Sequence, residues 1–209
     1  EVLSSSIISA YFKKSGLDSV LFDSKSFIKT DSRFGRAAVD SDATFKAIQD
    51  HFKESPKVSV CPGFVASSKE NGHITTLGRG GSDYTAALIA AALQAKELQV
   101  WTDVNGMMTS DPRLVSNAHS IEHLSYEEAM ELSHFGAKVI YPPTIQPVLD
   151  ADIPVHIKNT FDPDHNGTLI SKEGSSNGQV VKGTSCIDEI ALCTLTGSGM
   201  IAVPNISYR

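Results

Sequence analysis

The turn Gly78-Arg79-Gly80-Gly81-Ser82-Asp83 and the run Thr85-Ala86-Ala87-Leu88-Ile89-Ala90-Ala91-Ala92-Leu93 behind it constrain this chain more than any other stretch. Three glycines let the backbone take positive φ and approach a ligand closely, and Ser82 is suited to cap a helix. The helix that follows is apolar nearly all round, so it belongs in the interior. A glycine turn that opens a buried helix offers free N–H groups to an anion, and Arg79 places a fixed cation in it.

Around this turn the chain reads as α/β. Leu3, Ile7, Ile8, Tyr11 and Phe12 recur at helical spacing and predict an amphipathic helix that stops near Gly16. Ser19 to Asp23 reads as a buried strand, followed by a polar excursion from Ser24 to Asp40 that suits a hairpin or a lid. Ser41 or Asp42 is expected to cap a helix with Phe45, Ile48 and Phe52 on one face, which Pro56 ends. Val58 to Val60 and Phe64 to Ala66 are strand-like, broken by Pro62-Gly63, and Leu98 to Asp103 is another buried strand. The alternation predicts a mainly parallel sheet covered on both faces. Asn105 to Asn117 is rich in turn signals and long enough to bind something. Ser125 starts a helix with Glu127 and Glu128 in its first turn, Gly136 ends it, and Pro142-Pro143 opens another that reaches Asp150. Pro154 to Lys158 is a strand, and Asp162 to Asn166 a loop.

Glu173 to Gln179 is polar and rich in glycine and serine, the composition of a linker. The expected organisation is a main domain over 1–171, a linker over 172–188 and the start of a second unit over 189–209, where Ile190 to Thr196 reads as a strand. The absence of a starting methionine and the pattern running to Arg209 suggest a piece of a longer protein.

Several function classes are disfavoured. The formal net charge is −6 and the cations are scattered, which argues against nucleic acid or an anionic membrane as partner. No apolar run is long enough to span a bilayer and no signal segment opens the chain, so a soluble cytoplasmic protein is expected. The 3 cysteines, Cys61, Cys186 and Cys193, are odd in number and lack metal or disulfide spacing, so they read as reduced and mostly buried. The 7 histidines hold no HExxH, and no metal site is expected from side chains alone. There is no GxxxxGK[ST]. Gly197-Ser198-Gly199-Met200-Ile201-Ala202 fits the dinucleotide form, but Pro204 falls where its helix should run.

In open α/β sheets ligands bind where loops leave the carboxyl ends of strands. Here those loops are Gly78 to Asp83, Thr102 to Arg113, and Gly136 to Lys138. They supply Arg79, Arg113 and Lys138 as cations and Asp83 and Asp103 as carboxylates, the parts that phosphoryl transfer uses. Each part also has an ordinary use: a tight turn, a surface arginine, a lysine at a helix end, a strand end capping a turn. Residue by residue, the chemistry stays open.

The motifs taken together are more specific. Thr75 to Ala86, Trp101-Thr102-Asp103-Val104-Asn105-Gly106, Thr109-Ser110-Asp111-Pro112-Arg113 and Phe135-Gly136-Ala137-Lys138-Val139 resemble, in order, the motif series of aspartate kinases, from Glu1 to about Ser171. The tail from Ile190 resembles the start of that family's ACT-like regulatory region, and Gly197 to Met200 its bifunctional aspartate kinase/homoserine dehydrogenases.

The resemblance implies a three-layer αβα sandwich of the amino-acid-kinase type that moves the γ-phosphoryl of MgATP to the side-chain carboxylate of L-aspartate. It implies that Arg79 and Asp83 act at the reacting centre, with Glu1, Arg79 and Ser82 binding the acceptor. Thr102, Asp103, Met108, Arg113 and Lys138 would line the nucleotide site, Met108 standing where many relatives have tyrosine. ATP and Mg2+ are the implied cofactors. Lysine or threonine as feedback ligand at the ACT-like region, and a homo-oligomer, are the implied partners. The family's N-terminal lysine-phenylalanine-glycine-glycine-threonine-serine segment is not among the residues, so the chain alone is expected not to catalyse the reaction. A non-catalytic amino-acid sensor of the same fold and another amino-acid kinase are the alternatives.

Overall fold

A computed structural model describes residues 1–54, 58–134, 139–174 and 181–186. Helix α1 (Val2–Lys14) leads to β1 (Ser19–Leu21), and a 3-10 turn (Ser24–Ser26) leads to β2 (Lys29–Thr30). Then come α2 (Ser41–Phe52), β3 (Val58–Val60), β4 (Val65–Ser68), β5 (Ile74–Thr76), α3 (Gly81–Ala92) and β6 (Leu98–Thr102). The rest is β7 (His123–Ser125), α4 (Tyr126–His134), α5 (Pro142–Asp150), β8 (Val155–Asn159) and β9 (Thr168–Ser171).

The strands form a parallel pair β1-β3, a sheet β2-β4-β5 and a sheet β6-β8-β9-β7. Parallel ladders dominate, as expected, but β4-β5 and β8-β9 run antiparallel. The regular strand-helix alternation therefore fails at β4 and β5, which are joined by a short turn rather than a crossover helix. The two strand-like runs on either side of Pro62-Gly63 also belong to different sheets.

Two apolar clusters meet across α3. Ala87 and Ala90 face one, with Leu98, Val155, Ile157 and Ile170. Leu88 and Ala92 face the other, with Phe27, Ile28, Ile48 and Ala66. The all-round apolar character of α3 has this cause: it has a core on each side. The excursion after β1 is rooted in the second core, since Phe27 and Ile28 are fully buried. Its outer part is a hairpin, with Thr30 bridging Val39 and the Asp31 N–H donating to the Ala38 carbonyl at 2.9 Å.

Local departures have simple reasons. Asp40, not Ser41 or Asp42, caps α2, its carboxylate accepting the Ala43 N–H at 3.0 Å, because the returning hairpin holds Asp40 extended. In α1 the buried positions are Ser5 and Ser9, while Leu3 is 74% and Tyr11 66% exposed. Apolar periodicity identifies a face but not its partner; here the small serine face lets α1 lie close on β1 and β3. Cys186 is exposed and Cys61 half-buried, so the expectation of mostly buried cysteines fails for Cys186. Cys193, the strand from Ile190, Gly197 to Ala202 and the ACT-like region lie outside the described residues.

Candidate functional site

The turn before α3 is a backbone structure. Gly78 (φ 75) and Gly80 (φ 68) are both left-handed, and Gly80 is the N-cap of α3. Ser82 is therefore not the cap. It sits in the first turn of the helix, where its hydroxyl donates to Glu1 Oε1 at 2.8 Å and joins the start of α1 to the start of α3. Arg79 is exposed, with its guanidinium carbon 5.2 Å from the ring centre of Tyr141. Asp83 is half-buried, and that burial pushes its carboxyl above the ordinary range.

A corner that sequence reasoning noticed only as a strand break clamps this turn. Phe64 has φ 71, which a bulky residue adopts only under constraint. A Cβ on Gly81 would lie 2.8 Å from Phe64 Cδ2, and one on Gly63 2.8 Å from Ser82 Cα. Thr85 Oγ1 accepts the Phe64 N–H at 3.1 Å and donates to the Gly81 carbonyl at 2.8 Å. Pro62-Gly63-Phe64 thus fixes the glycine turn, and the signal available in the sequence was the Pro-Gly pair before an aromatic residue. Nearby, burial pushes the Cys61 thiol up to about 11, so it stays protonated at neutral pH and is no nucleophile.

The second side is the loop after β6. At the strand end Thr102 Oγ1 donates to Asp103 Oδ1 at 3.1 Å. Asn159 Nδ2 donates to Asn105 Oδ1 at 2.6 Å, tying the loop to β8. The fully buried Thr168 hydroxyl accepts the Met107 N–H at 2.8 Å and donates to the Ile121 carbonyl at 2.6 Å. Neither Asn159 nor Thr168 stood out in the sequence, since a polar residue on a strand carries no mark of its distant partner.

A cleft of about 190 Å3 opens beyond this anchor, lined by Met108, Asp111 and Arg113, by Val139 opposite, and by Thr184 and Cys186. Arg113 grips Asp111, with Nη2 2.6 Å from Oδ2, and these bonds hold the Asp111 carboxyl down at about 2. Met108 and Arg113 line one cleft, whereas Thr102 and Asp103 stand at the end of β6 outside its lining. Lys138 and Gly136 lie outside the described residues. Val139 and Tyr141 nonetheless link the two sides, one lining the cleft and the other carrying Arg79. Among the described residues no group of three or more His, Cys, Asp or Glu could hold a metal.

The model of the amino acid kinase family matches residues 1–159. The chain is 39% identical over 209 residues to the bifunctional aspartokinase/homoserine dehydrogenase of Buchnera aphidicola, with 97% of this chain and 26% of that protein aligned. It superposes on Escherichia coli aspartokinase III in complex with aspartate and ADP with a TM-score of 0.77 and 38% identity, over 84% of this chain and 40% of the other. The same enzyme in complex with lysine and aspartate gives 0.74 and 38%, over 85% and 40%. The chain thus spans about a quarter of the length of its bifunctional relative.

Proposed function

The chain belongs to the amino acid kinase family, and from that premise we propose that it carries the acceptor and nucleotide sites of an aspartate kinase. One observation supports the reading: the first turn of α3 bonds the hydroxyl of Ser82 to the carboxylate of Glu1, and Arg79 stands in the glycine turn that leads into that helix, its guanidinium against Tyr141. A turn that carries a cation and leads into a helix start bonded to an anion offers both signs of charge to a zwitterionic amino acid with a second carboxylate. The bound aspartate and ADP named for the Escherichia coli relative support that choice.

In this reading Arg79 pairs with a carboxylate of L-aspartate, Glu1 takes its ammonium, and Ser82 and Asp83 orient it. The attacking carboxylate is already ionised at neutral pH, so no general base is required. A side-chain oxygen bonds to the γ-phosphorus as the bond to ADP breaks, giving 4-phospho-L-aspartate. Mg2+ supplies neutralisation of the phosphate oxygens when it arrives with ATP. Arg113, Met108 and Lys138 hold the nucleotide end, Thr102 and Asp103 its approach, and the protein contributes alignment and charge.

The domain division at about Ser171, a feedback amino acid such as lysine or threonine at the region 189–209, a homo-oligomeric assembly and a cytoplasmic location belong to the same proposal. Among the described residues no helix is long and apolar enough to cross a membrane.

Calorimetric titration with Mg-ADP and then L-aspartate tests the reading. Saturable binding of both is expected, with L-glutamate and N-acetylglutamate binding at least 10-fold more weakly, on the order of what one methylene achieves. A preference for either rival acid, or no binding of L-aspartate, overturns it.

A further inference from the structure

Residues 181–186 fall within the expected linker over 172–188, yet they lie against the main domain. Lys182 is only 12% exposed in its side chain, and its Nζ is 2.8 Å from Glu128 Oε2. That same oxygen accepts the Ser125 N–H at 2.7 Å, within the reciprocal cap that opens α4. Gly183 is closely packed: a Cβ there would lie 3.2 Å from Ile121, 3.3 Å from Leu132 and 3.3 Å from the Thr109 carbonyl. The Thr184 N–H donates to that carbonyl at 2.8 Å. On its other edge Thr109 donates its own N–H to the His119 carbonyl at 2.9 Å, so the segment extends a small ladder on the binding loop.

A second contact places the excursion at the same point. A Cβ on Gly174 would lie 2.9 Å from the Ser125 nitrogen and 3.3 Å from Glu128 Oε2. The chain therefore leaves from the cap of α4 at Gly174 and is held at that cap again by Lys182. Beyond the clasp, Thr184, Ser185 and Cys186 face the cleft that Met108 and Arg113 line.

We propose that residues 182–186 are a wall of the nucleotide cleft, and that the Lys182–Glu128 pair is the clasp that positions it. The inference rests on the nucleotide reading of that cleft. Lys182 and Glu128 are positioning residues: they act on the nucleotide through Thr184 to Cys186 and not by touching it. Loss of the clasp should weaken nucleotide binding and leave the acceptor side, built on α3, unaffected.

The test uses Lys182→Met, which keeps the apolar stem, and Glu128→Gln, which keeps the helix cap because glutamine serves in the same box. Mg-ADP affinity and L-aspartate affinity are measured by titration, and alkylation of Cys186 by a maleimide is followed by peptide mass spectrometry. Both variants are expected to weaken Mg-ADP binding about 10-fold, the scale of one charged hydrogen bond, with L-aspartate affinity within about 2-fold of the parent. Without nucleotide, Cys186 should react several-fold faster in both variants, and Mg-ADP should slow its reaction in the parent chain. If the variants bind Mg-ADP like the parent and Cys186 is unprotected, the wall and clasp are overturned while the nucleotide reading stands. If the parent binds no Mg-ADP, both fall.

Discussion

The Gly78–Asp83 turn and the Thr102–Arg113 loop each carry an arginine and each follow a strand, but they are held by different means. The first is fixed by backbone: two left-handed glycines, a strained Phe64 pressed on Gly81, and a helix with a core on either side. The second is fixed from far along the chain, by the side chains of Asn159 and Thr168 and by the backbone N–H of Thr184. In the proposed reading the rigid turn takes the acid and the loop, walled by a separate segment, takes the nucleotide. The difference predicts where substitutions are tolerated and which ligand each one affects.

The largest expected effect is Arg79→Ala, which removes the cation of the rigid side. L-aspartate affinity should fall on the order of 10²-fold, as for loss of one partner of a charge-assisted pair, with Mg-ADP affinity little changed. Equal loss of both ligands in calorimetry would break the division into two sides. Next is Gly81→Val, whose branched side chain has no room against Phe64. It should cost about 1–3 kcal/mol in urea unfolding. Leu114→Ala, at a 67% exposed position of the second loop, should change stability by less than about 0.5 kcal/mol. Comparable losses would mean that the loop is as rigid as the turn.

The smallest effect is electrostatic. Hydrogen bonds from the Arg113 side chain and then its backbone lower the Asp111 carboxyl from 3.8 to about 2. A folded pKa below the unfolded one gives stability that is present above about pH 3.8 and is lost as pH falls toward 2. Asp111→Asn should flatten that acid limb in a pH series of unfolding curves and leave the neutral region nearly unchanged. Asp31, Asp40 and Asp50 are also lowered and bend both curves, so a variant curve that bends as much as the parent's would show that Arg113 does not hold the Asp111 carboxylate down.

Much of the rigid side was legible in the sequence because its cause is local. Glycine spacing marks positive φ, and the alanine-rich run behind it marks a buried helix. What was illegible has partners far away. Phe64 looks like any strand aromatic until Gly81 is placed on it. Lys182, in the stretch expected to be linker, finds Glu128 only through the fold of α4. Ser82 was misplaced as a cap since Gly80 could do the same work without a side chain, and the serine was left to meet Glu1.

The placement of α3 between two cores bears on how the molecule comes apart. A helix whose Ala87 and Leu88 are buried in different clusters cannot be released from one without exposing apolar surface to the other. The two halves should therefore share one cooperative transition, and hydrogen exchange in the middle of α3 should proceed only through global opening. The turn at its head then keeps its shape until the whole fold is lost, so ligand competence and native population should decline together on heating.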